Sequence, residues 1–350
     1  MTDTAPELGG GKARDMGWVL LLAPLAVFIA TWWLTGRVRA WLARRAILDR
    51  PVARSAHTAP VPRGGGLALM PAALSAWLVL ALLGQTTPAS AGIALLAAGL
   101  SALSWLDDLR SLPAWLRLAA HLVAAAIGLS FLPGAVAVFQ GLLPPLLDRL
   151  ATALLWVWFV NLFNFMDGID GISGVETASV GIGVALVVLS GGGDPDGSAV
   201  LALTLAAGML AFLCWNWHPA QLFLGDVGSV PFGYLLGWLL LGLAAKGLWA
   251  PALILPLYYL ADATITLGRR ILRRERIWEA HRQHFYQRAL GADGDHAAVA
   301  RLVLAADALL IMLALLALAR PGLALALAGL VVAALLAAME RRARKGQAVR

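Results

Sequence analysis

The stretch Leu150-Ala-Thr-Ala-Leu-Leu-Trp-Val-Trp-Phe-Val-Asn161-Leu-Phe-Asn164-Phe-Met-Asp167-Gly168-Ile-Asp170-Gly171 decides how the whole chain is read. Its first half is apolar apart from one threonine, the pattern of a helix in lipid. Polar groups then fall at 161, 164, 167 and 170. Residues three apart share a helix face and drift slowly around it. Gly168 and Gly171 end the helix and let backbone approach a ligand. A polar seam between helices is the alternative, but an Asn/Asp stripe at the end of an apolar helix has no simple packing explanation.

The rest of the chain agrees with a membrane setting. Of the 350 residues, 60% are apolar and 13% charged, against about 45–50% and 25% in soluble proteins. Mean hydropathy is +0.79. These values exclude a soluble globular enzyme, a disordered chain and a fibrous repeat. Uninterrupted apolar runs also exclude an outer-membrane barrel, whose strands alternate. The fold class is therefore all-α, a polytopic integral membrane protein of about 11 transmembrane helices. The spans are 17–36, 64–84, 89–106, 114–132, 150–166, 174–190, 198–217, 227–245, 247–267, 302–319 and 321–339. Residues 1–16 form a short polar segment, 17–339 a single membrane-embedded domain, and 340–350 a basic tail. No cleavable signal peptide is expected at the start. The single cysteine, Cys214, excludes an internal disulfide and reads as an inert core thiol.

Charge sets the orientation. With the N-terminus periplasmic and the C-terminus cytoplasmic, the loops 37–63, 107–113, 167–173, 218–226 and 268–301 face the cytoplasm. Only Lys12, Arg14, Arg149, Lys246 and Arg320 of the 27 basic residues then fall outside, a strong positive-inside bias. The net charge of +7 is thus mainly topological and does not call for nucleic acid. Basic loops at an anionic leaflet also attract phosphorylated substrates.

Carboxylates near a membrane are costly, so their places are informative. Asp107 and Asp108, Asp167 and Asp170, Asp226, and Asp262 collect at the expected cytoplasmic ends, with His281 and His284 in a neighbouring loop. Asp148, Asp194 and Asp196 lie in ordinary-looking outer loops. Acidic groups at one face with arginines around them suit a divalent cation and a phosphorylated ligand, because magnesium takes one or two carboxylates and completes its shell with phosphate and water. In Phe223-Leu-Gly225-Asp226-Val-Gly228-Ser229, Asp226 either caps the next helix or joins a phosphate site there. His121 and His218 read as structural, and His296 as solvent-exposed.

Taken together, the motifs resemble those of the polyprenyl-phosphate N-acetylhexosamine-1-phosphate transferases, a group that includes the phospho-N-acetylmuramoyl-pentapeptide transferases. Asp49-Arg-Pro51-Val-Ala-Arg54-Ser-Ala-His57 with Pro62-Arg63-Gly-Gly65-Gly66 looks like the first cytoplasmic loop. Trp105-Leu-Asp107-Asp108 looks like the paired-aspartate motif. Asn161 to Gly171 and Phe223 to Ser229 look like the two remaining motifs, in family order. The resemblance covers about residues 18–290. It implies transfer of N-acetylhexosamine-1-phosphate from a UDP-sugar to undecaprenyl phosphate with release of UMP, dependent on magnesium, with manganese as the alternative.

By resemblance, Asp226 is the metal ligand, and Asp107, Asp108 and Asp167 are catalytic, one of the first two handling the lipid phosphate. Asn161, Asn164, Asp170, Phe223, His57 and Arg63 bind substrate, with Phe223 stacking on uracil. His281 and His284 contact diphosphate together with Arg282 and Arg288. The loop His281-Arg-Gln-His284-Phe-Tyr-Gln-Arg288 lacks the adjacent histidines of the muramoyl-pentapeptide branch. It resembles the O-antigen-initiating branch, whose setting is the bacterial inner membrane with the active site on the cytoplasmic face. The partners implied are the UDP-N-acetylhexosamine, undecaprenyl phosphate and the bilayer, and a homodimer is compatible with the sequence. The rival readings are the peptidoglycan-precursor branch, a secondary transporter using Asp262 and Asp307 as proton carriers, a CDP-alcohol phosphotransferase and an assembly scaffold. No repeat supports the transporter, and the CDP-alcohol aspartate-glycine-alanine-arginine motif is absent. A scaffold leaves the polar stripe unexplained.

Overall fold

The computed structural model describes residues 10–49, 51, 59–132, 137–276, 281–291 and 294–348. In chain order it contains α1 (Gly10–Arg44), β1 (Leu48–Asp49), β2 (Val61–Pro62), α2 (Gly66–Leu82), α3 (Pro88–Arg110), α4 (Ala114–Gly128) and α5 (Pro145–Phe165). It continues with α6 (Ile172–Ser190), α7 (Ser198–Asn216), α8 (Asp226–Ala245), α9 (Trp249–Ile254), α10 (Leu257–Leu272), α11 (Phe285–Arg288), α12 (His296–Leu316) and α13 (Pro321–Ala348). Among the described residues nine helices are long and apolar enough to cross a membrane, and α2 is a shorter apolar helix.

Local sequence sets the helix ends. Pro88 and Pro145 stand at the first position of α3 and α5, where the missing N–H removes no helical bond. The Asp295 side chain accepts the Ala298 N–H at 2.8 Å and starts α12, six residues before the apolar run suggests. The span expected at 247–267 is two pieces, α9 and α10, broken at Leu255-Pro256. A proline cannot supply the N–H that would join them.

The centre of the bundle is α8. It is buried over nearly its whole length and packs against α3 and α5. Trp156 on α5 stacks on Tyr234 of α8 at 4.5 Å and donates its indole N–H to the Tyr234 carbonyl at 3.0 Å. Around this core, α6 packs on α7 and α12, and α1 on α7. The outward faces of α1, α4 and α13 expose Trp18, Leu21, Ile29, Trp115, Val123 and Leu330. Exposed apolar faces on helices of membrane-spanning length suit lipid against them. Cys214 lies on an outward face and is exposed, contrary to the core position expected for it. Its position follows from α7, whose neighbouring residues Phe212 and Asn216 face inward.

The short β1–β2 pair aligns Leu48 with Pro62 and Asp49 with Val61. It folds the chain after α1 back over the end of the bundle where α3, α5 and α7 finish and α8 begins.

Candidate active site

Residues 62–66 run alongside 223–225 at that end. Phe223 N–H donates to Pro62 O at 2.9 Å, and Gly64 and Gly65 N–H to Phe223 O at 3.1 and 2.8 Å. At Gly66 a Cβ would stand 2.3 Å from Gly228 N, so only glycine permits this approach. Gly225 has φ +75°, and a Cβ there would meet Asp108 Oδ2 at 2.9 Å.

This approach sets Arg63 between two carboxylates, with Nη2 at 2.7 Å from Asp226 Oδ1 and 2.8 Å from Asp108 Oδ1. Burial alone opposes the charged guanidinium. Asp226, Asp108 and Asp49 outweigh it and hold the Arg63 charge more firmly than in free arginine. Asp108 also accepts the N–H groups of Asp226 and Val227 at 3.3 and 3.0 Å. These are the unsatisfied donors of the first turn of α8, where the helix dipole favours an anion. With its side chain 3% exposed, Asp108 braces three elements, and both its oxygens are engaged. Asp107, about 100° further around α3, turns elsewhere. Its Oδ2 accepts from Arg117 Nη1 at 2.9 Å and its Oδ1 from Leu112 N–H at 2.6 Å.

A cavity of about 430 Å³ opens beside these groups, walled by Asp107, Arg117, Asn161, Asn164, Asp226 and His284 over an apolar floor of Leu103, Leu118 and Val230. Ser229 Oγ donates to Asn164 Oδ1 at 2.7 Å, and Asn161 Nδ2 to Val157 O at 2.7 Å. Arg117 beside aspartate, asparagine and histidine makes a cradle for phosphate oxygens, with Arg63 behind Asp226 and outside the lining. Asp226 Oδ2 has no hydrogen-bond donor in range among the described residues, with Arg117 Nη1 at 3.9 Å. A carboxylate oxygen left open on a polar wall fits a hard divalent cation that keeps phosphate and water in its shell.

Asp167 follows in the turn after α5, half-buried and outside the cavity's lining. Burial lifts its carboxyl to about 7 against the opposing bond from Ser173, and Asp226 and Asp108 add to the rise. His281 and His284 both line the cavity.

Other expected site residues stand away from it. Asp170 is buried with His218 Nδ1 at 2.6 Å and the Ala220 N–H at 3.1 Å on one oxygen. His296 Nδ1 lies 3.2 Å from both the N–H and Oδ1 of Asp170. Burial pushes the Asp170 carboxyl up, but His296, His218 and the Ala220 N–H outweigh it and hold it below the usual range. The three ligand-type atoms lie within 4.8 Å of one another, yet they satisfy one another as a clamp on the 166–171 turn. His296 is therefore 2% exposed and not solvated, because it closes against a backbone N–H 126 residues away. Arg288 turns to α13 and pairs with Glu340 at 2.9 Å. Arg282 is exposed and Phe223 half-buried, and neither lines the cavity. His57 lies outside the described residues.

Arg117, which the sequence marks only as topological charge, bonds Asp107 across the Pro113 turn. No sequence signal marks Glu176, buried in α6 near Asp307 of α12, with no hydrogen bond on either Glu176 oxygen among the described residues. Nothing in the structure explains that pair.

Residues 90–244 match the model of glycosyl transferase family 4. They include the paired aspartates, the Asn/Asp stripe and the Asp226 turn. A decaprenyl-phosphate N-acetylglucosaminephosphotransferase of Mycolicibacterium smegmatis is 32% identical over 245 residues, which is 62% of this chain and 58% of that protein. A probable undecaprenyl-phosphate N-acetylglucosaminyl 1-phosphate transferase of Bacillus subtilis is 29% identical over 262 residues, 71% of each chain. A phospho-N-acetylmuramoyl-pentapeptide-transferase of Thermosynechococcus vestitus is 29% identical over 233 residues, 59% of this chain and 55% of that one. The match thus spans less than two thirds of the mycobacterial relative, and both named activities occur among the similar proteins.

Proposed function

We propose that the protein transfers an N-acetylhexosamine-1-phosphate from a UDP-sugar to a polyprenyl phosphate, releasing UMP, as the first membrane step of a cell-surface polysaccharide such as O-antigen. The observation that carries this reading is the cavity in which Arg117, Asp107 and the open Oδ2 of Asp226 meet over an apolar floor. Its polar wall suits two phosphorylated reactants, and its floor suits a lipid chain. The names of the similar proteins support the same chemistry.

The donor and acceptor repel through their phosphates, so positioning and charge stabilisation are the main demands on the protein. In this reading Arg63 and Arg117 hold phosphate oxygens, Asn161 and Asn164 orient the donor, and Phe223 and Asp167 border the uridine. Asp107 takes the proton of the acceptor phosphate where one remains. Asp226 holds magnesium, which screens the diphosphate and polarises its oxygens when bound. The basic loops support a reading in which this end of the bundle faces the cytoplasm of a bacterial inner membrane. UDP-N-acetylglucosamine is the first donor to test, given the sugar in the relatives' names, and the His281-Arg-Gln-His284 loop supports a donor outside the peptidoglycan branch. The test is a panel of UDP-N-acetylhexosamines with undecaprenyl phosphate and magnesium. Lipid-linked sugar and UMP support the reading, and neither product from any donor overturns it.

A further inference from the structure

Asp262 belongs to none of the motifs, and its side chain is fully buried on α10. Five donors converge on it. Tyr258 Oη and Thr266 Oγ1 come from its own helix at 3.3 and 3.2 Å. His284 Nδ1 at 3.1 Å, Phe285 N–H at 3.0 Å and Tyr286 N–H at 3.1 Å come from one later segment. A buried carboxylate is costly unless it is bonded. Here both oxygens are engaged, so Asp262 is poorly placed to carry protons across a membrane. Three of its five bonds fix the loop that brings His284 to the cavity wall. A carboxylate only accepts, so His284 carries a proton on Nδ1, and the Nε2 edge is what remains for a ligand.

His281 provides the contrast. It stacks on His284 with ring centres 4.9 Å apart, and its Nδ1 accepts the Gln283 N–H at 3.3 Å. Burial, with His284 and Arg270 adding, lowers it to about 4. Two histidines three residues apart are thus differently equipped, one kept neutral and one backed by a carboxylate.

We propose that Asp262 is a positioning residue for the transfer reaction, fixing the His284 ring so that its Nε2 edge faces the reacting pair. The inference rests on the phosphotransfer reading. A carboxylate partner locks the ring orientation and the tautomer, as partners behind functional histidines do. The ring then adds a fixed polar edge to the wall that already holds Arg117.

The test is a double-mutant cycle on the full-length protein in detergent, with wild type, His284→Gln, Asp262→Asn and the double variant. Donor KM, kcat and Tm are measured for each with UDP-N-acetylglucosamine and undecaprenyl phosphate. Each single change is expected to lower kcat about 10- to 100-fold, the scale for partners of a functional imidazole. The double variant should lose no more than the worse single, and Asp262→Glu should recover part of the rate. Losses that multiply, or an unchanged kcat and KM in His284→Gln, overturn the proposal.

Spectra of ¹⁵N-histidine-labelled wild type provide a second measurement that does not depend on the folding of an Asp262 variant. They should show His284 protonated at Nδ1, and an Nε2–H tautomer overturns the proposal. A wild type that releases no UMP from any donor counts against the phosphotransfer reading itself, leaving the spectrum to decide the Asp262–His284 pairing.

Discussion

The two ends of the bundle use the same residue types differently. At the end where α3 begins and α8 finishes, carboxylates mostly bond groups no more than 10 residues away, Lys246 excepted. Asp148 accepts from the N–H groups of Val138 and Phe139 at 3.1 and 3.0 Å, and Asp194 from Ala199 N–H at 2.9 Å. Asp196 bonds Ser198 at 2.7 Å and pairs with Lys246 at 2.5 Å, part-exposed. At the other end the bonds reach across the chain. Arg63 meets Asp226 over 163 residues, and Asp108 meets Val227 over 119. Local carboxylate bonds shape turns, as Asx-type motifs do anywhere. Long-range bonds that bring acids and arginines around a cavity at the membrane edge are costly to assemble, and such departures from the economical pattern concentrate at functional sites.

The largest expected difference between the ends is in turnover. Asp226→Asn should lower kcat about 10²–10³-fold, the scale for removing one charge-stabilising group, and should weaken the response to magnesium. Asp196→Asn should leave the rate unchanged. Equal losses in the two variants, read from initial rates of UMP release, break the contrast.

Within the site end, Asp107 and Asp108 should separate. Asp107→Asn should fail in rate by more than it loses in stability. Asp108→Asn strips the anion from the α8 start and from Arg63. It should cost about 2–3 kcal/mol, the scale of a lost charged hydrogen bond, seen as a lower Tm in detergent. If Asp107 takes the acceptor's proton, the Asp107→Asn defect should shrink as pH rises, since solvent then removes that proton. A pH-independent defect assigns Asp107 to placement.

Asp167 gives a pH test with a defined sign. Its carboxyl, lifted to about 7 by burial, binds its proton more tightly folded than unfolded. The folded state therefore loses stability as pH rises from the ordinary carboxylate range towards 7. Asp167→Asn should remove that slope, so its Tm advantage over wild type is expected to grow with pH and to be largest above 7. Its activity should stay low at every pH. Parallel Tm curves for the two proteins contradict the burial of this carboxyl.

The helices were legible in the apolar runs, and the single-sided crowding of acids was legible from the loops. What the sequence did not reveal depended on partners far along the chain. Asp108 reads as half of a catalytic pair until the α8 N-terminus, 118 residues on, closes over it. His296 reads as a surface residue until the 166–171 turn meets it. Asp262 reads as one more acid at the cytoplasmic helix ends, or as a proton carrier on the transporter reading, until the His284 loop returns to it. The break between α9 and α10 had a local signal in Pro251 and Pro256, but unbroken hydropathy masked it.

The smallest effect belongs to the far end. Lys246→Met removes a part-exposed ion pair and should cost about 0.2–1 kcal/mol, with turnover unchanged. A loss of activity here places function at both ends.

The most direct measurement identifies the nucleotide product. Purified protein in detergent, undecaprenyl phosphate, magnesium and UDP-N-acetylglucosamine labelled in its sugar are incubated, and the nucleotides and lipids are separated. Transfer of sugar-1-phosphate predicts UMP and a lipid-diphosphate sugar in equal amounts, both lost in Asp226→Asn. Release of UDP with a lipid-monophosphate sugar, or the same UMP yield from Asp226→Asn, contradicts the account.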